Sequence, residues 1–471
     1  MATIFSTILL LLLLLSESKP LPLPNTMRLG DKLGVSWHSL SAFPSEYSLL
    51  RRAFRGVRVD ISWPAVESEC GFYNFSVFDE LYLQARTADL ELTYILDYNN
   101  PGCYPTSPNN SLGCNDPNCI QGFISYAAAT AAHFSGKHGV FFECQNEPNS
   151  MGQQSPKSLA SMCGGAGAAF EVSSLPFFGP ATLQFDIPYL QESAFLGLFQ
   201  NLSAVSTHAF GAYPPEGALH NYSLLKTLVS GGAMVQSEAG FPSGPPGCTP
   251  AGYPALPSAL SALYLVRTTL TALLAGVQRS NTFQWKDVSD NASVCDEGYG
   301  WGVVTSELLP KPQFLALVAL QEWIGDSPSL IRRLPILGHP QGFAIEFSPP
   351  LGAWGGYNGY VVWDSFGGEC SVGNAPCGSP SAAHNATECL LDERGGCCFN
   401  EYRVDGGPPC FKRTNPSLGA SFFVEKGGAR AFTVGGTWGQ VFPDLLYVIN
   451  ASITVPSTLW GQGPIYLVPF T

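Results

Sequence analysis

Eight short runs of apolar or β-branched residues, each followed by a longer stretch with apolar residues at helical spacing, fill the chain from Leu33 to about Leu320. This alternation constrains the fold more than any other feature. A short run followed by a helix-length segment builds a βα unit, and strands joined in that way pair in parallel. The expected strands are 33–37, 56–61, 92–96, 139–144, 177–179, 204–208, 233–237 and 281–285, with helices such as 120–134 and 259–274 between them. Eight units over this length close into an α/β fold, the TIM (β/α)8 barrel, expected over residues 27–322. In such a barrel the working groups stand at the C-terminal ends of the strands.

Past Trp323 the pattern changes to short alternating strands with Gly and Pro turns, at 343–347, 360–363, 420–424, 446–455 and 465–468. This predicts a small all-β sandwich domain over 323–367 and 413–471. It is interrupted by the segment 368–412, which holds Cys370, Cys377, Cys389, Cys397, Cys398 and Cys410, six of the fourteen cysteines. A segment so small buries too little apolar surface to fold unaided, so disulfides are expected to stabilise it. Six cysteines allow 15 pairings in principle. Gly and Pro on both flanks suit an insertion at a hairpin tip, where added length costs little closure entropy.

The N-terminus reads as a signal peptide over residues 1–18: the apolar run from Ile4 to Leu15 is shorter than the roughly 20 residues a spanning helix needs, and polar residues come directly after it. No later stretch is expected to span a bilayer. Export exposes cysteines to an oxidising route, and the triplets at Asn74, Asn109, Asn201, Asn221, Asn291, Asn385 and Asn450 are glycosylation sequons, so a secreted or lumenal, disulfide-bonded glycoprotein is expected. A net charge of −13 argues against nucleic acid, whose phosphates require clustered Lys and Arg.

Two glutamates fall where the barrel would bring strand ends together. Glu147 comes after the fourth strand in Phe142-Glu143-Cys144-Gln145-Asn146-Glu147-Pro148-Asn149, and Glu238 ends the seventh in Met234-Val235-Gln236-Ser237-Glu238-Ala239-Gly240-Phe241. One carboxylic acid and one carboxylate about 5 Å apart are the groups that retaining hydrolysis of a glycosidic bond requires. Glu143 is expected to point the other way by alternation, as a buried, salt-bridged barrel residue. Trp37, His38, Asp97 and His208 are candidates to line the mouth. His133, His138 and Glu143 lack a ligand spacing, and neither a P-loop nor a dinucleotide fingerprint is present, so no metal site and no cofactor are expected.

These segments resemble clan A of the retaining (β/α)8 glycoside hydrolases, in particular its cellulase-like and xylosidase/iduronidase-like families. That clan carries Trp-Glu-x-x-Asn-Glu-Pro-Asn after strand four, and this chain departs only in having Phe142 for the Trp. The segment from Gly56-Val57-Arg58-Val59-Asp60 to Trp63 resembles the clan's arginine-bearing second strand, and Gly71-Phe72-Tyr73-Asn74-Phe75 resembles the continuation of that strand in the same families. Ile95-Leu96-Asp97-Tyr98, Trp285 and Pro310-Lys311-Pro312 extend the likeness. The resemblance implies Glu147 as acid/base and Glu238 as nucleophile. It further implies that Asn146 bonds the substrate 2-hydroxyl, Arg58 holds Glu238 ionised and Trp285 floors the sugar subsite. An arginine beside one carboxylate but not the other separates the two roles. Where the clan often has His-x-Tyr on strand six, this chain has His208-Ala209-Phe210, with Tyr213 as the substitute donor to Glu238. The implied activity is retaining hydrolysis of a β-linked glycan or glycoconjugate, with a carbohydrate as partner. A lectin-like protein on the same barrel and a transglycosylase are the alternatives.

The inserted segment resembles a trefoil (P-type) module in its Gly396-Cys397-Cys398-Phe399 and closing Cys410-Phe411. The resemblance implies the pairs Cys370–Cys398, Cys377–Cys397 and Cys389–Cys410, and a glycan-docking role.

Overall fold

The structure, a computed structural model, describes residues 28–37, 44–105, 113–150, 154–211, 215–229, 232–245, 248, 250–288, 298–337, 342–351 and 358–364. Beyond these it describes the strand segments 371–372, 375–376, 420–423, 431–436, 441–447, 452–455 and 465–469. The leader segment, the sequons Asn109, Asn291, Asn385 and Asn450, and the six cysteines of the inserted segment lie outside the described residues, as do His38 and Tyr213.

Eight parallel strands arise from the eight runs: β1 (Leu33–Ser36), β2 (Gly56–Ser62), β3 (Glu91–Asp97), β4 (Val140–Cys144), β5 (Phe177–Phe178), β6 (Ala204–His208), β7 (Ala233–Ala239) and β8 (Arg279–Thr282). Each pairs with its neighbour in sequence except at one seam, and β1 pairs with β8. The β5–β6 seam is bridged by Ser203 N donating to Phe177 O at 2.7 Å and Gly179 N to Ala204 O at 3.1 Å. The sheet therefore closes and leaves no open edge. Along β2 the alternation is plain: Val57, Val59 and Ile61 join the apolar layer under the helices, while Arg58 turns into the lumen toward Glu143 and Glu238. Phe141, Phe178, Ala204 and Val235 form a separate apolar cluster. The guanidinium of Arg279 sits 3.7 Å above the Phe141 ring and pairs with Glu91.

The eighth strand lies two residues earlier than its expected start. Its sequence Arg-Ser-Asn-Thr is polar and buried, so the apolar criterion missed it. The barrel is tight enough there that a Cβ on Gly34 would stand 2.0 Å from Asn281 Oδ1.

Two helices placed after strands start on Pro behind a side-chain cap, Asp116 for Pro117–Phe134 and Ser155 for Pro156–Val172. One helix, Ser258–Ala275, is long and apolar enough to cross a membrane, contrary to the expectation that no such stretch lies beyond the leader. It is a core helix packed against its barrel neighbours, and most of its residues are buried.

The C-terminal region is antiparallel. Its strands are β9 (Leu330–Leu334), β10 (Ile336–Leu337), β11 (Gly342–Phe347), β12 (Gly359–Asp364), β13 (Ser371–Val372), β14 (Ala375–Pro376), β15 (Ala420–Phe423), β16 (Ala431–Gly436), β17 (Val441–Tyr447), β18 (Ser452–Val455) and β19 (Ile465–Pro469). Six form one sheet in the order β17-β16-β19-β12-β11-β9, and three form another, β10-β15-β18. The stretch expected as a single strand over 446–455 divides, with β17 pairing β16 and β18 pairing β15. The inserted segment contributes the small β13–β14 ladder.

A buried polar clamp joins barrel to sheet. Arg267 donates to Glu216 through Nε at 2.7 Å and Nη2 at 2.6 Å, and Trp363 Nε1 on β12 donates to Glu216 Oε1 at 2.7 Å. Trp363 stacks on Phe343 at 5.0 Å, and the Arg333 guanidinium lies 3.6 Å from the Phe343 ring.

Candidate active site

The C-terminal ends of β4, β6 and β7 converge on Glu147, His208 and Glu238, all buried. Local backbone geometry places each of them. After β4 ends at Cys144, Gln145 and Glu147 both adopt the left-handed region, with φ of 59° and 46°. For non-glycine residues this costs about 1–3 kcal/mol each and persists only where the surroundings enforce it. Glu147 N donates to Ala181 O at 2.7 Å and Gln145 N to Leu96 O at 3.0 Å, which ties the reversed segment to both neighbours. Cys144 is joined to Cys163 of the next helix by a disulfide.

On the other side, β6 and β7 pair Thr207 with Gln236 and then His208 with Glu238, skipping Ser237. This bulge re-aims the strand so that Glu238 comes level with His208. The imidazole then stands between the two carboxylates, with Nδ1 2.9 Å from Glu147 Oε1 and 3.4 Å from Glu238 Oε2. One ligand atom from each of the three residues lies within 4.8 Å of the others. That separation fits a nucleophile and an acid acting on the same anomeric carbon rather than a pair with a water between them. The same three donors could geometrically share a divalent cation.

Arg58 organises the polar network around this pair. Its Nε donates to Glu143 at 2.6 Å, its Nη1 pairs with Glu238 and its Nη2 donates to Asn146 Oδ1 at 3.0 Å. Burial works against its charge, but Glu143 and Glu238 outweigh burial and hold its pKa above that of an ordinary arginine. Glu143 is buried and ion-paired as expected, yet it faces the lumen rather than away from the pair. Positions 143 and 147 are four apart, an even spacing that alternation itself puts on one face, so the expectation misapplied the rule. Asn146 in turn donates through Nδ2 to Tyr98 OH at 3.0 Å. Burial, then Asp97, pushes the Tyr98 phenol upward. Asp97 itself is buried beside Asp60, and burial and then that neighbour lift its carboxyl well above the usual range.

Other sequence candidates land elsewhere. Trp285 is fully buried in the hydrophobic core, donates Nε1 to Glu46 Oε2 at 2.9 Å and meets the Phe314 ring, so its faces are spent on packing rather than offered to a sugar. Trp37 is likewise buried, edge-on to Tyr47.

The aromatic lining of the mouth comes instead from loop residues that the sequence did not single out. Phe210, which stands where the clan has tyrosine, lies 5.8 Å from the His208 ring. It contacts Tyr253, Phe283 and Trp301 at 5.5, 5.7 and 5.4 Å. Burial and then the Glu147 charge raise the Tyr253 phenol pKa, against a hydrogen bond from Gln184, so this hydroxyl lies within reach of Glu147's field. The sequence hint for these residues is their aromatic character after β6, β7 and β8.

A closed eight-stranded α/β barrel with a buried Glu-His-Glu cluster at its C-terminal mouth defines the class of fold and site. No protein-family model and no curated protein matches the chain. Among solved structures it is similar to a family 39 glycoside hydrolase from Bacteroides cellulosilyticus WH2, at 15% identity over 96% of this chain and 82% of that one, with a TM-score of 0.63. It is also similar to a family 30 subfamily 8 xylanase from Clostridium acetobutylicum, at 11% identity over 93% and 96% of the two chains, TM-score 0.60. A glucosidase from Croceicoccus marinus matches at 14% identity over 96% and 98%, TM-score 0.58. These likenesses show the fold, a barrel with an antiparallel sheet after it.

Proposed function

We propose that this chain is a retaining glycoside hydrolase acting on O-glycosidic bonds of a β-linked glycan, with Glu238 as nucleophile and Glu147 as acid/base. One observation supports this division above the others: Arg58 pairs with Glu238 and makes no bond to Glu147. Two carboxylates, Glu143 and Glu238, pair with this single guanidinium. The charge of the catalytic pair is thus best stabilised on Glu238, which leaves the proton to Glu147.

In the first step the Glu238 carboxylate attacks the anomeric carbon while Glu147 gives its proton to the departing oxygen, so one C–O bond forms as another breaks. In the second step Glu147 takes a proton from water, whose oxygen displaces Glu238 and restores both groups. Asn146, held by Arg58 and Tyr98 but still partly open to the mouth, is placed to bond a substrate hydroxyl.

The test is a pair of substitutions assayed on aryl β-glycosides of differing leaving group. Glu238→Gln is expected to abolish turnover on all of them. Glu147→Gln is expected to spare activated aryl substrates, whose departure needs no protonation. Equal loss on both substrate types in the Glu147 variant would overturn the assignment.

A further inference from the structure

Beside Glu147 lies a cavity of about 490 Å³ with Asn149, Ser150, Gln184, Asp186, Phe210 and Asn221 in its walls. Its size falls within the roughly 300–1,000 Å³ usual for small-ligand sites. It belongs to the acid's side of the mouth: Ser150 N donates to Glu147 O at 3.0 Å, and Phe210 packs against His208. A general acid protonates the oxygen of the group that departs, so on the proposed reaction this cavity receives the leaving group.

Most polar atoms in its walls are already engaged. Asn149 donates to Leu183 O and Asp186 Oδ2, both at 3.1 Å, and Asp186 Oδ1 accepts from Tyr189 N at 3.1 Å. Gln184 Nε2 donates to Tyr253. Asn221 differs. It is half-buried on the helix Ala218–Leu228 and opens the sequon Asn221-Tyr222-Ser223, whose serine is exposed. The two other described sequons contrast with it: Asn201 donates its amide to Gly164 O at 3.0 Å, and Asn74 is exposed at the end of the barrel segment before the helix Ser76–Thr87.

Resting on the glycosidase reading above, we propose that an N-linked glycan on Asn221 seats its first sugars in the cavity beside Glu147 and so sets the size of leaving group the site accepts. Phe185, only partly buried in the cavity wall, offers an apolar surface suited to the face of a pyranose, whether it belongs to this glycan or to a substrate. The glycosylated chain then handles small leaving groups, and the chain lacking that glycan handles extended ones.

The experiment uses the full chain secreted from a glycosylating eukaryotic host, beside Asn221→Gln and Ser223→Ala, which remove the same sequon by different residues. Mass mapping is expected to find glycan on Asn221, and an unmodified Asn221 overturns the proposal. In the folded protein an endoglycosidase should trim this glycan about ten-fold more slowly than the one on Asn74, and equally fast after denaturation, because a seated glycan is released only on local opening. Equal rates in the folded protein overturn it. Ser223→Ala, which removes the sequon without changing the cavity wall, should raise kcat/KM on β-linked oligosaccharides about ten-fold while leaving aryl β-glycosides within about two-fold. An unchanged ratio between the two substrate types also overturns it. If no form hydrolyses any substrate, the glycosidase reading fails, and the trimming rates still decide whether the glycan is seated.

Discussion

The Arg58 guanidinium lies 2.6 Å from the fully buried Glu143 carboxylate, so the group that supports Glu238 is itself anchored by a charge with no access to water. Replacing Arg58 by Met leaves Glu143 uncompensated, which costs about 3–5 kcal/mol. Arg58→Met is therefore expected to lower the urea midpoint sharply, and adding Glu143→Gln should restore much of the stability without restoring turnover. A double variant no more stable than the single one would show that the ion pair is not the source.

His208 stands between the two carboxylates, with Nδ1 2.9 Å from Glu147 Oε1 and 3.4 Å from Glu238 Oε2. His208→Gln keeps a hydrogen-bonding side chain but cannot take a charge. We expect kcat to fall by about 10²-fold, the loss typical of an acid–base partner, with KM little changed and the bell-shaped pH profile displaced. A variant with reduced kcat and an unmoved profile would assign His208 a purely packing role.

Asp97 supplies a stability prediction with a definite sign. Its carboxyl is raised in the folded chain by burial and then by Asp60, so the folded state binds a proton that the unfolded chain releases near 3.8. The contribution is fully present below that value and is lost as pH rises through the higher folded value. Asp97→Asn, which is neutral at every pH, should flatten the fall in Tm across this window. Parallel Tm curves for the two proteins would refute the protonated carboxyl.

Glu216 joins Arg267 of the barrel to Trp363 of the sheet. Glu216→Ala leaves the buried Arg267 without this carboxylate, at about 3–5 kcal/mol. Because Glu216 bonds to Arg267 and Trp363 and to no member of the Glu-His-Glu cluster, kcat on aryl glycosides at low temperature should stay within about two-fold while thermal unfolding begins earlier. Unfolding at the wild-type temperature would mean the clamp contributes little.

Much of the barrel was legible because strands buried on both faces read as uninterrupted apolar runs. β8 was displaced because its residues are polar and turned inward. Glu147 and Glu238 were legible as carboxylates at the ends of recognisable strands. The left-handed backbone at Gln145 and Glu147 was not, whereas the inference that Glu143 faces away failed because an even spacing of four puts 143 and 147 on one face. Beyond Thr282 the regular pairing of β8 ends, so side-chain direction no longer obeys alternation. The chain there sends Phe283 to the aromatic cluster and Trp285 into the core. Tyr253 and Trp301 reach the mouth from loops, whose course depends on tertiary contacts that no local pattern encodes.

Among the described residues the disulfides Cys70–Cys103, Cys114–Cys119 and Cys144–Cys163 lie on the chain between β2 and the helix after β4, the arc of the rim that carries Glu147, and Cys248, in the loop after β7, is disulfide-bonded as well. Glu147 thus stands on covalently braced ground, with the Cys144 bridge only three residues away. A reducing environment would loosen that arc. On the proposed reading, placement of Glu147 as proton donor is then completed by oxidation after synthesis, which would tie maturation of this chain to the compartment in which its sulfurs are joined.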